Sequence, residues 1–141
     1  MKILAVDYGD ARTGLACCDE KEMLASPVGV IKEYNADRLA EKIADEAVQL
    51  GVKMIVVGNP INMNGTYGPR SELAFKLADR LKDISGLPVE LWDERGTTVS
   101  AISVLHTTDV RGKKRKAVVD AVAAVIILEN YMSYRKNKRQ D

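Results

Sequence analysis

The segment of this sequence that most constrains the fold is KMIVVG, residues 53–58, because no polar residue stands between Met54 and Gly58. A β-strand sends alternate side chains to opposite faces, so a strand of this composition has to be covered on both faces. Parallel sheets provide that environment, because their crossover helices lie on both faces. The run therefore predicts a central parallel strand in an α/β fold.

The other elements follow from hydrophobic periodicity, turn residues and helix caps. In chain order they are strands at 2–7, 13–19 and 26–32, a helix at 37–50, the strand at 53–58, a helix from Pro69 to Gly86, a strand at 88–92, a helix from Thr97 or Thr98 to His106, and a helix at 117–132. A glycine turn makes the first two strands a hairpin, while Asn35 or Asp37 caps the first helix and Gly51 ends it. This element order is that of the ribonuclease H-like fold. We therefore expect a five-stranded mixed sheet, antiparallel over its first three strands and flanked by helices.

Composition predicts one compact domain. A chain of 141 residues with 46% hydrophobic content has room for one sizeable core, which we place at residues 1–134, with a basic, disordered tail at 135–141. No stretch approaches the ~20 apolar residues of a membrane span, and Asp7 interrupts the first apolar run too early for a signal peptide. The adjacent Cys17 and Cys18 suit buried thiols in a reducing compartment. We expect a soluble, cytoplasmic protein that does not bind membranes.

Carboxylates stand at or near the ends of several predicted apolar elements. Asp7 ends the first strand, Asp93 and Glu94 follow the fifth strand, and Asp120 interrupts the last helix. Clustered carboxylates repel one another unless a cation holds them, and hard oxygen ligands suit Mg²⁺ or Mn²⁺. Two such ions about 4 Å apart support phosphodiester hydrolysis without a protein nucleophile. The pattern predicts a metal-dependent nuclease.

Each of these acids has an ordinary structural alternative. Asp7 can accept backbone N–H bonds in the turn that follows it, and Asp120 can be a first-turn residue favoured by the helix dipole. Asp93 and Glu94 leave their strand on opposite faces, so one can enter a cluster while the other pairs with Arg95 at the surface. Spacing alone leaves the choice between Asp93 and Glu94 open.

Basic residues collect at the C-terminal end of the chain. From Arg111 onward nine Lys or Arg stand against three acids, a net charge of +6, whereas the preceding residues carry twelve against seventeen, a net charge of −5. This asymmetry suits a nucleic-acid backbone on one side of the molecule, although a solvated helix end accounts for it as well. The basic candidates for substrate binding next to Asp120 are Arg111, Lys113, Lys114, Arg115 and Lys116.

Four further polar residues are candidates for substrate binding. Arg12 and Arg95 each lie close in sequence to an acid, where they can contact a phosphate or form an ordinary ion pair. Asn62 and Asn64 lie in a loop after a parallel strand, the edge where open α/β sheets bind ligands, and plain turn chemistry is their alternative. Trp92 can stack on a base, but a lone Trp beside a strand is more often part of the core.

Four segments together resemble a known family. VDYGDARTGLA, GNPINMNGTYGPR, LWDERGTT and KAVVDAVAAVIILENYM resemble the signature segments of the pre-16S rRNA nucleases, the YqgF or Holliday junction resolvase-like proteins, over nearly the whole chain. The resemblance implies a ribonuclease H-like fold and processing of the 5′ end of pre-16S rRNA in ribosome biogenesis. It places the catalytic, metal-binding acids at Asp7, Glu94 and Asp120. Asn59 and Gly96 depart from the residues usual in this family, and neither is an acid.

Two other functional classes stay open at this point. The Asp-Tyr-Gly turn before a second strand also resembles the first phosphate loop of the actin and sugar-kinase fold, which needs a second domain to hold a nucleotide. A catalytically inactive RNA-binding protein fits the charge asymmetry too. Within the nuclease class, the substrate is pre-rRNA, a ribosomal precursor particle or branched DNA, and we expect a monomer or weak homodimer. Junction resolution requires two symmetric active sites, whereas trimming of one strand does not.

Overall fold

The fold is described from a computed structural model. It covers residues 1–9, 11–59, 68–93 and 112–140, with only the backbone described at 93, 112–120 and 139–140. The elements are β1 (Ile3–Asp7), β2 (Arg12–Cys18), β3 (Ala25–Lys32), α1 (Ala36–Leu50), β4 (Met54–Asn59), α2 (Pro69–Ser85), β5 (Val89–Asp93) and α3 (Gly112–Gln140). The helix predicted at 97–106 lies outside the described residues.

The strands form one mixed sheet in the order β3-β2-β1-β4-β5. β1 and β2 pair antiparallel, as do β2 and β3, so the predicted hairpin and antiparallel half are confirmed. β4 pairs parallel with both β1 and β5. All six residues of β4 are buried, which confirms that the apolar run at 53–58 is a central parallel strand.

The two shorter helices begin and end where their cap residues predict. The Asn35 side chain accepts a hydrogen bond from the Arg38 backbone N–H at 3.0 Å, and Gly51 ends α1 in the left-handed conformation with φ of 72°. Pro69 is the first residue of α2, and Gly86 ends it at φ of 71°. Local chemistry therefore determines these boundaries.

A separate core covers each face of the sheet. The α1/α2 core contains the even-numbered β1 residues Leu4 and Val6, and the α3 core contains the odd-numbered residues Ile3 and Ala5. Cys17 and Cys18 likewise divide between the two cores, with Cys18 buried and Cys17 half-buried, and burial raises the pKa of both thiols. Strand alternation thus determines which helix layer each β1 residue faces.

Helix α3 is longer than its apolar segment. It begins at Gly112 and continues to Gln140, whereas the sequence predicts a loop up to residue 116 and a disordered tail from residue 135. Residues 135–140 are helical instead, and the Arg135 Nε donates to Glu22 Oε1 at 2.7 Å, which anchors this end of the helix to the turn between β2 and β3.

Within the described residues, no helix has the length and apolar content needed to cross a membrane.

Candidate active site

Asp7 lies on the face of the sheet that α3 covers. It is the last residue of β1 and continues the odd-numbered positions of Ile3 and Ala5, both of which are in the α3 core. Unlike those two residues it is only half-buried. Its carboxylate therefore stands where the apolar layer under α3 ends and polar groups can approach.

Glycines flank Asp7 on both sides in the sheet. Its Cα partner on β2 is Gly14. On β4, Val57 is the partner of Val6, and because the two strands are parallel, the next residue, Gly58, stands beside Asp7. Gly58 in turn pairs with Trp92 on β5. At about 4.8 Å between strands, the Cα atoms of Asp7 and Trp92 are about 10 Å apart. The two residues directly beside Asp7 in the sheet therefore carry no Cβ.

Arg12 shares the face of Asp7. It begins β2 two residues from Gly14, and the even-numbered β2 residues Ala16 and Cys18 belong to the α3 core. Arg12 is a diagonal neighbour of Asp7 in the antiparallel pair of β1 and β2, so the Cα atoms of the two residues are about 7–8 Å apart. The Arg12 Nη1 atom is buried and has no hydrogen-bond partner among the described residues. A buried guanidinium N–H without an acceptor is costly, so this atom suits a bound anion.

Two contacts fix the chain that follows Asp7. A Cβ added at Gly9 would overlap the backbone carbonyl oxygen of Arg12, so the turn requires a glycine at this position. From the first turn of α2, the Arg70 Nη2 donates to the Tyr8 carbonyl oxygen at 3.1 Å. Together they hold the end of β1 against β2 and α2. Sequence patterns gave no signal for the Arg70 contact, which joins positions 62 residues apart.

The direction of α3 places its residue 120 toward the Asp7 end of the sheet. Near the C-terminal end of α3, the Tyr131 hydroxyl contacts Met54 Sδ at 3.7 Å, and Arg135 contacts Glu22. Met54 begins β4, and Glu22 lies beyond the opposite end of the hairpin from Asp7. Residue 120 precedes Tyr131 by three helical turns, about 16 Å, which is close to the length of β1.

The other predicted site residues are described in part or not at all. Glu94, Arg95, Asn62, Asn64 and Arg111 lie outside the described residues. For Asp120 and the basic residues Lys113, Lys114, Arg115 and Lys116, the structure describes a helical backbone and no side chains. The described side chains, which include neither that of Glu94 nor that of Asp120, contain no group of three His, Cys, Asp or Glu residues that could hold a metal ion.

The antiparallel β3-β2-β1 half, the parallel β4 and β5, and the acid at the end of β1 define a ribonuclease H-like protein. One solved structure with this fold is Thermus thermophilus RuvC in complex with a Holliday junction substrate. It superposes with a TM-score of 0.61 at 15% identity, covering 96% of each chain.

Sequence comparison defines the family. Residues 1–134 match the RuvX family, described as Holliday junction resolvase. A protein of Thermoanaerobacter pseudethanolicus named "Putative pre-16S rRNA nuclease" is 40% identical over 139 residues, covering 98% of this chain and all of that one. A Geobacillus protein of the same name is 43% identical over 142 residues, covering 96% of this chain and all of that one. The chain belongs to the RuvX family.

Proposed function

We propose that this protein is a metal-dependent nuclease that hydrolyses phosphodiester bonds during 5′-end processing of pre-16S rRNA. The names of its full-length relatives support the substrate, and the family supports nucleic-acid hydrolysis. The observation that carries the proposal is the pair formed by Asp7 and Arg12. A half-buried acid and a guanidinium nitrogen that has no hydrogen-bond partner among the described residues share one face of the sheet, at the end of β1 and the start of β2.

Asp7, Glu94 and Asp120 are the proposed catalytic acids and metal ligands. Glu90 and Trp92 contact Tyr131 of α3, whereas Val89 and Leu91 belong to the α1/α2 core. Even-numbered positions of β5 therefore face α3, and odd-numbered positions face α1 and α2. Glu94 is even-numbered and Asp93 is odd-numbered, which supports the choice of Glu94.

Helical spacing supports Asp120 in the same way. Position 120 precedes the buried Ala124 by four residues and the buried Ile127 by seven, the spacing at which residues of one helix share a face. Ala124 and Ile127 pack on the face of the sheet that carries Asp7. We therefore propose that the three acids, from β1, from the residue after β5 and from α3, meet on this side of the sheet.

The donor set fits a hard divalent cation. Carboxylate oxygens are the ligands that Mg²⁺ and Mn²⁺ prefer, and the direct Cα partner of Asp7 on β2 is a glycine, Gly14. One or two such ions would supply Lewis-acid activation of the phosphodiester and of water. Asp7, Glu94 and Asp120 would orient the ions, and Arg12 would donate hydrogen bonds to the scissile phosphate.

The remaining candidates would bind the substrate around this centre. Arg95, Asn62 and Asn64 belong to segments that follow β5 and β4, at the edge where β1 ends. The basic stretch from Arg111 to Lys116 leads into the helix that carries Asp120 and would hold the sugar-phosphate backbone without reading its sequence. We propose that residues 1–134 form this nuclease unit, which acts in the cytoplasm as a monomer or weak homodimer.

Cleavage assays test the proposal directly. Purified protein is incubated with a pre-rRNA 5′ fragment, a DNA four-way junction and single-stranded controls, each with Mg²⁺, Mn²⁺ or a chelator. We expect metal-dependent RNA cleavage that falls at least 100-fold in Asp7→Asn, while Asp45→Asn, an exposed acid of α1, behaves as the parent. Circular dichroism confirms that both variants are folded.

Two results contradict the proposal. RNA cleavage that survives Asp7→Asn would remove this acid from the mechanism. Cleavage of the four-way junction alone would replace RNA processing with junction resolution, and that activity would require a dimer with two active sites.

A further inference from the structure

The face that carries Asp7 also carries an aromatic cluster beside β5. The Trp92 ring centroid lies 5.4 Å from that of Tyr131, in an edge-on contact, and 5.2 Å from that of Tyr134. Tyr131 is 2% exposed, Trp92 is half-buried and Tyr134 is 43% exposed. The cluster is therefore anchored at Tyr131 and opens toward solvent through Trp92 and Tyr134.

A hydrogen bond fixes the anchor. The Tyr131 hydroxyl donates to the Glu90 carboxylate, and burial together with this bond raises the pKa of Tyr131 to about 12. Glu90 is the acid next to the cluster on β5, and the Tyr131 hydroxyl occupies one of its oxygens. The tyrosine remains a neutral donor at physiological pH, so the orientation of its ring against Trp92 is kept.

Positive charge lies over the exposed part of the cluster. The Lys138 Nζ lies 5.8 Å from the centroid of the Tyr134 ring, a cation–π distance. Aromatic rings bordered by a lysine match a single strand of nucleic acid, whose bases stack on the rings while a phosphate meets the ammonium group.

We propose that Trp92 and Tyr134 form a stacking surface for an unpaired nucleobase of the substrate, with Lys138 contacting the adjacent phosphate. This inference rests on the proposed nuclease function and defines its substrate as a segment that is single-stranded beside the cleavage site. The Trp92 Cα lies about 10 Å from that of Asp7 across Gly58, so a strand whose phosphate reaches Asp7 can place a nearby base on Trp92. Bases in a duplex are stacked on one another and present no free face to such a surface.

Trp92 is the sole tryptophan of the chain, so its fluorescence reports on this surface alone. The Asp7→Asn protein is titrated in chelator with a short single-stranded RNA, the same RNA as a blunt duplex, the same RNA with abasic residues, and a DNA strand of the same sequence. Labelled RNA in a parallel anisotropy titration measures binding independently. We expect single strands to quench Trp92 emission at the concentrations at which they bind, while duplex and abasic RNA bind without quenching.

Variants measure the contribution of stacking to affinity. Stacking contributes about 1–3 kcal/mol per base, so Trp92→Leu is expected to weaken single-strand binding roughly 5-fold to 150-fold and duplex binding hardly at all. Trp92→Phe keeps an aromatic ring and should lose less. Tyr34→Ala, which removes an aromatic residue that is 84% exposed and lies in the connection between β3 and α1, is the matched control and should bind as the parent does.

The outcomes separate this inference from the proposed function. Binding and cleavage of RNA without any change in Trp92 emission, or equal quenching by duplex and single strand, would overturn the stacking surface and leave the nuclease proposal standing. Quenching by single strands in a protein that cleaves no RNA would support the stacking surface and overturn the nuclease proposal. Absence of any RNA binding would overturn both.

Discussion

The interaction of Glu22 with Arg135 and the N-terminus gives a quantitative prediction about stability. The Glu22 side chain is 5% exposed and accepts hydrogen bonds from Arg135 Nε at 2.7 Å and from the N-terminal amino group at 3.1 Å. Charge-assisted hydrogen bonds contribute about 1.5–3 kcal/mol each when buried. The two donors are 24% and 34% exposed, so solvent screening reduces these contributions. We expect Glu22→Gln to lower the free energy of unfolding by about 2 kcal/mol at pH 7.

The pH dependence of this loss has a definite sign. Burial acts to raise the pKa of Glu22, but hydrogen bonds from Arg135 and the amino group outweigh it and lower the pKa below the ordinary value of 4.5. A lowered folded-state pKa stabilises the protein above the unfolded-state value, and that stabilisation is lost as the pH falls through the folded-state value. The difference between the parent and Glu22→Gln should therefore shrink as the solution is acidified below pH 4.5.

Urea denaturation followed by Trp92 emission and circular dichroism measures both effects. Glu20→Gln is the matched control, because Glu20 is exposed and lends only its backbone carbonyl oxygen to the N-terminal amino group, at 2.7 Å. It should change stability by less than about 0.5 kcal/mol. An equal loss in both variants, or a Glu22→Gln loss that stays constant into acid, would refute the reasoning.

Two further substitutions test the packing of the sheet. Leu128 is fully buried in the α3 core. Leu128→Ala should therefore lower the free energy of unfolding, measured by urea denaturation, by about 2–5 kcal/mol. A loss below about 1 kcal/mol would mean that α3 is loosely packed. Asn59 is 5% exposed and its Oδ1 atom has no partner in the part of the chain that the structure describes, so Asn59→Leu should raise stability by about 1 kcal/mol in the same assay. A loss of stability would show that the amide makes a necessary contact.

The sequence predicts much of this fold because local signals and the apolar pattern agree. The cap at Asn35, the stops at Gly51 and Gly86, and the start at Pro69 are each determined within one or two turns of chain. Strand pairing follows from the continuous apolar run of β4 and the turn between β1 and β2. These features depend on residues that are close in the sequence.

Features that depend on distant contacts escaped prediction. The helical state of residues 135–140 coincides with the contact between Arg135 and Glu22, 113 positions away. Spacing alone left Asp93 and Glu94 equivalent, and only the family resemblance favoured Glu94. Which face of β5 lies toward α3 becomes known only from the contact between Tyr131 and Glu90. The sequence also favoured a core position for Trp92. The side chain is only half-buried because its exposure depends on where α3 crosses the sheet.

The length of α3 has a consequence for local opening. Its 29 residues extend about 44 Å, whereas five-residue strands such as β1 extend about 17 Å. Buried side chains occur from Ala121 to Met132, and the following residues are mostly exposed. Amide hydrogen exchange should therefore be slowest in that middle segment and faster beyond Ser133, where a helix end can open without global unfolding. Exchange at Tyr134 should respond to the Glu22 contact, so the aromatic surface can open and close while the core stays intact.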